Sequence, residues 1–431
     1  MIRKFEKIKS LKGKLYLAGD KSISHRAVMF ASMAEGKSVI RNCSESEDVT
    51  STMKCFAKLS CEFKRDGNTI EVIGKGIGKL SAPPQTELDA GNSGTTTRLI
   101  SGILAAQSFE SVIIGDASLS KRPMKRIVEP LKLMGANLEV NEDGTLPLKI
   151  FPSENIHNIS YTFRVASAQV KSAMILLAIH LDEVSEFIET VPTRNHTELM
   201  LGLKTERTNS GTKIFASKKN YPKPFDITVP ADISSAAFFI VAALLTNDSD
   251  IILNNVSLNS TRTGIITVLK EMGGQIEIIN KRKEAGEEAG DVRIVSSKLK
   301  NVGIPKDIIP NIIDEIPILS VAGLFAEGNF RIENAKELRV KESDRIKSLC
   351  QNYKKSGVEV IEFDDGFELR GMPLNVQTTF ESYDDHRIAM TFGVLSSLLD
   401  NGGFVSGFEC VGISNPKFYE QLISLAYNSN I

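Results

Sequence analysis

The chain has 431 residues, and its 52 lysines and arginines nearly balance its 53 acidic residues. A chain of this length exceeds what one hydrophobic core usually serves, so we expect two domains. The near-neutral charge excludes a protein whose main partner is nucleic acid or a membrane surface, because such proteins carry a basic excess. The absence of tryptophan, with only 6% aromatic residues, also excludes a stacking platform for single-stranded nucleic acid.

The cysteines and the N-terminal sequence indicate the compartment. The five cysteines form no CxxC pair and have no histidines at metal-ligand spacing, so we expect free thiols and no bound metal. Residues 1–20 lack the apolar segment of a signal peptide, and no run of about 18 apolar residues occurs. These features predict a cytoplasmic protein.

A composite pattern repeats six times along the chain: a small polar block, an apolar Ala-rich helix and a β-like run. Each helix is apolar on nearly every face, which is typical of a helix inside a domain. The predicted helices begin near Lys21, Ser93, Ser167, Asp232, Asp314 and Asp385.

A second, amphipathic helix follows in each unit and leads into an alternating strand pair. Gly135, Gly273 and Gly357 stand after three of these helices, where a left-handed C-cap is expected. The third unit is divergent, and the sixth ends near Ile431 before its strands. We expect the strand-like residues 4–18 to complete the sixth unit.

These observations predict an α/β fold of two similar domains, each built from three βαβαββ units around buried helices. Domain I takes residues 1–19 plus 227–431, and domain II is an insertion of residues 20–226. The stiff sequence YPKPF at residues 221–225 is the expected crossing between them.

Charged residues are concentrated at the predicted helix starts, where unpaired N–H groups and a partial positive charge favour anions. Lys21, Ser22 and Arg26 combine a point charge, a hydroxyl and a guanidinium fork at the first start. Their spacing alone leaves two readings equally open, an anion site or an N-cap followed by solvated charges. The hydroxyl-rich residues 92–98 are more often an ordinary capped helix.

The remaining charged blocks differ in how strongly they indicate function. Residues 121–126 (KRPMKR) are more often a solvated basic face, and residues 336–345 alternate in sign like a salt-bridged helix start. His386 and Arg387 open an otherwise apolar helix and therefore favour a functional role. Asp314 is the best candidate general base, and it also suits an N-cap; the two roles are compatible.

Taken in order, these blocks resemble the 3-phosphoshikimate 1-carboxyvinyltransferase family, also called 5-enolpyruvylshikimate-3-phosphate synthases. The resemblance rests on residues 19–27 (GDKSISHRA), 91–95 (GNSGT), 121–124 (KRPM), 167–171 (SAQVK), 341–345 (KESDR) and 385–387 (DHR). The chain also resembles the glyphosate-tolerant bacterial class of this family, at residues 20–21, 167–171, 194–198 (RNHTE) and 259–262 (NSTR).

The resemblance implies the inside-out barrel fold of the enolpyruvyl transferases, with a cleft between two domains that closes on substrate. It implies transfer of the enolpyruvyl (carboxyvinyl) group of phosphoenolpyruvate to the 5-hydroxyl of shikimate 3-phosphate, with release of phosphate. This is the sixth step of the shikimate pathway, which leads to chorismate and the aromatic amino acids. It further implies a monomer that uses no cofactor and no metal.

The resemblance also implies which residues act. The implied shikimate 3-phosphate site consists of Lys21, Ser22, Arg26, Ser167, Gln169, Arg194, Asp314 and Lys341. The implied phosphoenolpyruvate site consists of Lys21, Gly94, Arg122, Gln169, Arg345, His386 and Arg387. The implied catalytic residues are Asp314, Lys341, Glu342 and Lys21.

In the implied addition–elimination mechanism, Asp314, with Lys341 nearby, takes the proton of the 5-hydroxyl, and Glu342 or a neighbour protonates the methylene carbon. The arginines stabilise carboxylate and phosphate charge. Many family members carry a lysine near the C-terminus where this chain has residues 413–416 (ISNP). Lys417 is left without an assigned role.

Two other interpretations stay open. The sister transferase that acts on UDP-N-acetylglucosamine normally carries Lys-Asn at the first helix start and a reactive cysteine before the Arg-Pro motif. This chain has Lys21-Ser22 and no cysteine between Cys61 and Cys350. A non-catalytic repeat module, or a relative that processes RNA ends, fits poorly because few aromatic residues are present and acids accompany the cations.

Overall fold

A computed structural model describes residues 1–83, 85–374 and 376–427 of the chain. The chain divides into two compact units. Unit 1 comprises Met1–Leu17, Ala231–Arg282 and Glu288–Ile431, and unit 2 comprises Ala18–Pro230 and Lys283–Glu287. The assignment of domains to residues 1–19 plus 227–431 and to residues 20–226 stays a prediction.

The strands are β1 (Ile2–Phe5), β2 (Lys12–Tyr16), β3 (Gly36–Arg41), β4 (Glu62–Asp66), β5 (Thr69–Gly74), β6 (Thr86–Asp89), β7 (Ser111–Ile114), β8 (Asn137–Glu139), β9 (Leu148–Phe151), β10 (Ser160–Phe163), β11 (Ser185–Glu189), β12 (Lys204–Thr208), β13 (Gly211–Ala216), β14 (Asp226–Thr228), β15 (Asp250–Ser257), β16 (Gln275–Glu284), β17 (Glu287–Val295), β18 (Phe330–Ile332), β19 (Glu359–Phe363), β20 (Gly366–Arg370), β21 (Thr378–Glu381) and β22 (Gly403–Ser406).

The α-helices are α1 (Lys21–Met33), α2 (Glu47–Lys58), α3 (Gly94–Leu104), α4 (Lys125–Leu133), α5 (Ala168–Ala178), α6 (His196–Met200), α7 (Ile233–Leu245), α8 (Gly264–Glu271), α9 (Ile309–Ile312), α10 (Ile316–Phe325), α11 (Arg345–Lys355), α12 (His386–Leu398) and α13 (Phe418–Tyr427).

The strands of each repeat form a small sheet. In unit 2 the orders are β14-β3-β5-β4, β6-β7-β9-β8 and β10-β11-β13-β12. Each begins with a parallel pair and ends in an antiparallel hairpin. A helix crosses over between β6 and β7 and between β10 and β11, whereas β14 comes from the far end of the unit to pair with β3. The predicted βαβαββ repeat is confirmed here, and the divergent third unit keeps it with the five-residue α6 as its second helix.

The sheets of unit 1 show how the N-terminal residues are used. Strand β1 pairs antiparallel with β22 and so extends the sheet of the sixth repeat, as predicted. The prediction is wrong for the rest of residues 4–18, because β2 pairs in parallel with β15 in the fourth repeat. Strand β14 does the same for the first repeat by pairing with β3. Each segment that precedes a change of unit therefore completes a sheet of the unit it leaves.

The predicted crossing at residues 221–225 is wrong in position. Phe225 packs against a core cluster of unit 2, and its backbone N–H lies 3.2 Å from the Ser38 hydroxyl. The chain passes from unit 2 to unit 1 at Pro230 and Ala231 instead. Unit 2 also takes Lys283–Glu287, the turn between β16 and β17, where Ala285 packs against the same cluster.

Five of the six predicted helix starts are confirmed together with their caps. The side chains that accept a hydrogen bond from the first turn are those of Asp20, Ser93, Ser167, Asp232 and Asp385. The fifth helix, α10, begins later than predicted, since Glu315 occupies its N-cap position. The N-cap role considered for Asp314 is therefore wrong.

The three central helices of each unit carry the core. In unit 1, α7, α10 and α12 are buried along almost their whole length within one cluster. In unit 2, α3 and α5 approach so closely that a Cβ on Gly102 would lie 2.0 Å from the Ala173 carbonyl oxygen. Only glycine permits that approach. The polar N-termini are therefore the parts of these helices that can contact a ligand.

Among the described residues, no single helix is long and apolar enough to cross a membrane. One bent pair, Lys306–Ile312 with Ile316–Phe325, passes the same test on length and composition. Its second member is α10, which lies in the core of unit 1.

Candidate active site

In unit 2, the first helix start holds three of the predicted site residues. Lys21 Nζ lies 3.0 Å from an Asp48 carboxylate oxygen, and Ser22 is half-buried. Arg26 is buried and donates to Thr197 Oγ1 at 2.7 Å, to Ser172 Oγ at 3.0 Å and to the Ser22 carbonyl oxygen at 3.0 Å. These neutral acceptors orient the guanidinium without neutralising it.

Burial dominates the electrostatics of Arg26. It lowers the pKa of Arg26 to about 10, although Glu198 and Glu287 act in the opposite direction. Arg194, another predicted site residue, is close enough to lower the same pKa. The first helix start and the loop before α6 therefore share one electropositive region, as a phosphate site requires.

The second helix start in unit 2 brings together Gly94 and two arginines. A Cβ on Gly94 would meet a guanidinium nitrogen of Arg98 at 3.0 Å and one of Arg122 at 3.5 Å. Arg122 donates to the Asn92 side-chain oxygen at 2.7 Å. Arg98 donates to Gln169 Oε1 at 2.7 Å, and Gln169 in turn donates to Thr95 Oγ1 at 3.2 Å.

Arg98 is the last residue of the hydroxyl-rich segment 92–98, and it was not predicted from the sequence as a site residue. Its burial, together with the positive charges of Arg126 and Arg122, lowers the pKa of Arg98 to about 9. Among the ion pairs of residues 1–83, 85–374 and 376–427, none involves Arg98. A buried cation that lies near two further arginines and outside these ion pairs indicates a site for an anionic ligand.

The third helix start in unit 2 places Ser167 and Gln169 on the first turn of α5. Ser167 caps the helix by accepting from the Val170 N–H at 3.4 Å. Both residues are half-buried and so remain open to a ligand. Lys171, one turn further along, is buried and pairs with Glu189 at 2.6 Å and Glu198 at 2.7 Å.

In unit 1, Asp314 stands among three cations. Its carboxylate oxygens lie 3.3 Å from Arg345, 3.8 Å from Lys341 and 3.9 Å from Arg387. Arg387 also donates to the Asp314 backbone carbonyl at 2.8 Å. The residue precedes α10 and is half-buried, so a ligand can reach it.

Arg345 is the centre of the charged network of unit 1. It is completely buried and donates to Asp385 at 2.7 Å, with Glu342 as a second carboxylate partner. Burial alone would lower the pKa of Arg345, but the carboxylates of Asp385 and Glu342 outweigh it and raise the pKa. Asp385 also caps α12, so one carboxylate orients both the helix and the guanidinium.

The backbone before Asp385 is strained. Tyr383 and Asp384 both adopt left-handed conformations, with φ of 53° and 56°, which non-glycine residues seldom do. Two such residues in succession occur where the surrounding structure imposes them, often at functional sites. This turn delivers Asp385, His386 and Arg387 to the start of α12.

Glu342 and Glu315 show how the same network treats carboxylates differently. Burial favours a higher pKa for Glu342, but Arg345 and His386 outweigh burial and lower the pKa to about 2. Burial raises the pKa of Glu315, which accepts a hydrogen bond from Ser234 and lies 3.7 Å from Arg387. Glu342 is therefore ionised at neutral pH.

No group of three or more histidine, cysteine, aspartate or glutamate side chains suited to a metal ion occurs in the described part of the chain. All five cysteines are buried free thiols, as expected from the sequence.

Comparison with known proteins gives the family. A family model described as EPSP synthase (3-phosphoshikimate 1-carboxyvinyltransferase) matches residues 5–422. The chain belongs to the EPSP synthase family. A member from Caldicellulosiruptor saccharolyticus, named 3-phosphoshikimate 1-carboxyvinyltransferase, is 46% identical over 427 residues, covering 97% of this chain and 98% of the relative. A relative of the same name from Thermoanaerobacter sp. is 43% identical over 418 residues, covering 96% of this chain and 98% of the relative.

Solved structures agree with the EPSP synthase assignment. The EPSP synthase from Acinetobacter baumannii superposes with a TM-score of 0.89 at 38% identity, covering 98% of both chains. The enolpyruvyl transferase NikO from Streptomyces tendae shares the fold, with a TM-score of 0.74 at 15% identity over 98% of this chain and 96% of that chain. The predicted enolpyruvyl transferase fold and the family resemblance are both confirmed.

Within this EPSP synthase family member, sequence reasoning missed several groups that support the predicted residues. Asp48 pairs with Lys21 and Asp385 with Arg345, Glu198 acts electrostatically on Arg26, and Glu315 lies beside Arg387. The role of Asp385 could have been predicted from the sequence, because an acid that caps a buried helix next to a basic residue is expected to form an ion pair. Asp48 and Glu198 had none, since their partners are distant in sequence.

Proposed function

We propose that the chain transfers the enolpyruvyl group of phosphoenolpyruvate to the 5-hydroxyl of shikimate 3-phosphate through the residues set out below. The family assignment supports the reaction. The observation that best supports the residue roles is the position of Asp314, whose carboxylate is half-buried and within 4 Å of Lys341, Arg345 and Arg387.

Asp314 is the general base of this proposal. Neighbouring cations keep a carboxylate ionised, and an ionised carboxylate can accept the proton of the attacking hydroxyl. Lys341 completes the pair, because its ammonium orients the carboxylate and can donate to an oxygen of shikimate 3-phosphate. Both side chains come from segments that precede helices α10 and α11.

The proton donor to the methylene carbon needs a proton at neutral pH. The pairing of Glu342 with Arg345 lowers the pKa of Glu342 to about 2 once burial is outweighed, so this carboxyl group holds no proton before substrate binds. Lys341 is the neighbour that carries transferable protons. We favour Lys341 as the donor and Glu342 as the group that holds Arg345.

The remaining residues bind charge. Lys21, Ser22, Arg26, Ser167, Gln169 and Arg194 bind shikimate 3-phosphate in this proposal, together with Asp314 and Lys341. Lys21, Gly94, Arg122, Gln169, Arg345, His386 and Arg387 bind phosphoenolpyruvate. Arginine forks suit carboxylate and phosphate, and fixed donors stabilise the charge that develops during transfer.

Substitutions at two positions test these roles. Asp314→Ala should lower kcat by about 100-fold or more, because general base catalysis contributes at least that much, and this effect should be far larger than the change in the KM for shikimate 3-phosphate. Arg122→Ala should chiefly raise the KM for phosphoenolpyruvate. Asp307→Ala, at an exposed position of unit 1, is the control and should change neither constant. An equal collapse of shikimate 3-phosphate binding in Asp314→Ala would show that Asp314 positions the substrate instead.

We also propose membership of the glyphosate-tolerant class. Residues 20–21, 167–171, 194–198 and 259–262 support it, and two of these segments are joined directly by the ion pair of Lys171 with Glu198. Phosphate release measured against glyphosate at several phosphoenolpyruvate concentrations tests the class. Competitive inhibition at low glyphosate would contradict it.

The cytoplasmic location and the monomeric state are further proposals. Light scattering of the purified protein tests the oligomeric state. A mass near twice the 47.2 kDa of one chain would contradict the monomer.

A further inference from the structure

Three buried charged residues in unit 2 have no role in the reaction described above. Lys171 is 1% exposed, and its ammonium lies 2.6 Å from Glu189 and 2.7 Å from Glu198. Two carboxylates against one ammonium leave a negative excess. Arg26 feels this excess, because Glu198 is the acid that most opposes the effect of burial on the pKa of Arg26. We call Lys171, Glu189 and Glu198 the buried triad.

The triad joins two helices beside Arg26. Lys171 on α5 pairs with Glu198 on α6, and at the adjacent positions the hydroxyls of Ser172 and Thr197 lie 2.7 Å apart. Arg26 donates to both of these hydroxyls. The pairing of Lys171 with Glu198 therefore sets the spacing of the two groups that aim the Arg26 guanidinium.

The triad also holds the loop that carries Arg194. Glu189 ends β11, and its carboxylate accepts from the Thr193 backbone N–H at 3.0 Å and from the Thr193 hydroxyl. Glu198 lies just beyond the loop, on α6. Both ends of the segment between β11 and α6 are thus tied to the single ammonium of Lys171.

Stability alone does not account for this arrangement. A buried ion cluster is commonly no more stabilising than apolar side chains of the same volume, since desolvation offsets the attraction. Charged hydrogen bonds do fix geometry, because they are directional and few alternatives exist in a buried site. The two groups fixed here are the two arginines that we assign to shikimate 3-phosphate.

We propose that Lys171, Glu189 and Glu198 are positioning residues that hold Arg26 and Arg194 in place for shikimate 3-phosphate. The inference rests on the proposed roles of these two arginines. It predicts that weakening the triad affects one substrate only. The affinity for shikimate 3-phosphate falls, whereas the affinity for phosphoenolpyruvate and kcat stay nearly unchanged.

Thr193→Val is the mildest test, because it removes the hydroxyl that bonds to Glu189 and keeps the branched shape. We expect the KM for shikimate 3-phosphate to rise by about three- to tenfold, in line with loss of one hydrogen bond to a charged group in a partly exposed loop. Thr193→Ser keeps the hydroxyl and should restore the KM. Thr208→Val, in the exposed hairpin of the same unit, is the control and should change nothing.

Glu189→Gln provides a second variant that does not depend on Thr193. It removes one triad charge at constant shape and should raise the same KM while amide hydrogen exchange in residues 190–195 becomes faster. Parallel rises in the KM for both substrates, or unchanged exchange in residues 190–195, would overturn the inference. Failure of the wild-type protein to turn over shikimate 3-phosphate would instead overturn the proposed function, and the exchange measurement would still decide whether the triad holds the loop.

Discussion

In unit 2 the arginines at the helix starts bond to neutral groups, whereas in unit 1 they bond to carboxylates. Arg26 donates to hydroxyls and a carbonyl, and Arg98 donates to the amide of Gln169. Arg345 and Arg387 are each within 4 Å of two or more acids. Both sets stand at the N-termini of buried helices, so the fold does not explain the difference.

The difference in partners separates two tasks. Neutral partners fix a guanidinium but leave its charge available, which suits capture of an anionic substrate. Carboxylate partners balance the charge and hold a rigid network, which suits placing a base such as Asp314 beside its cations. We therefore expect substitutions in unit 1 to affect folding and turnover together, and substitutions in unit 2 to affect binding.

Asp385→Asn should have the largest effect. Asparagine still caps α12, but the buried guanidinium of Arg345 loses its main carboxylate, and breaking such a pair costs about 3–5 kcal/mol. Urea unfolding measures this loss. The matched variant is Asp20→Asn, which keeps the cap of α1; because asparagine and aspartate cap helices about equally well, it should lose about 1 kcal/mol or less. Equal losses would remove the contrast between the units.

Two histidines of unit 2, one buried and one exposed, offer a second comparison, through pH. Burial lowers the pKa of His25 to about 3, with Asp48 opposing and Lys21 and Arg26 assisting. The unfolded chain binds this proton below about pH 6.5, so the free energy of unfolding falls as pH drops from there towards 3. His25→Asn should reduce that loss by about 2 kcal/mol between about pH 6.5 and 5. His157→Asn, at an exposed position, is the control, and an identical pH dependence in His25→Asn and wild type would contradict the burial argument.

Arg98→Met should have the smallest effect on folding and a clear one on binding. The site disfavours this cation, as its lowered pKa of about 9 indicates, so the free energy of unfolding should stay the same or rise. The KM for phosphoenolpyruvate should increase about tenfold, which corresponds to about 1.4 kcal/mol. Arg65→Met, at an exposed position of strand β4, is the control. A strongly destabilised Arg98→Met protein would place Arg98 with the structural arginines of unit 1.

Much of the fold could be predicted because its signals are local. Asp20, Ser93 and Asp385 are capping residues directly before apolar segments, so helix starts follow from the sequence. Strand partners are not local. The prediction placed all of residues 4–18 in the sheet of the sixth repeat, but β1 and β2 join different sheets. Strand pairing depends on which sheet has an unpaired edge strand nearby, and the local sequence does not contain that information.

The site was predictable in its cations and less so in its acids. Arg122, Arg345 and Arg387 stand in short motifs, whereas the partners of Arg345 come from three separate segments. Asp314 was selected for its place before an apolar helix, and the expected cap is supplied by Glu315. Its contacts with cations depend on the packing of α10, α11 and α12, which no local pattern contains.

Release of inorganic phosphate from phosphoenolpyruvate tests the central claim most directly. The purified chain is incubated with phosphoenolpyruvate and either shikimate 3-phosphate or UDP-N-acetylglucosamine, without added metal or cofactor. We predict release with shikimate 3-phosphate, none with UDP-N-acetylglucosamine, and loss of release in Asp314→Ala. Release with UDP-N-acetylglucosamine alone, or with neither acceptor, would contradict this account.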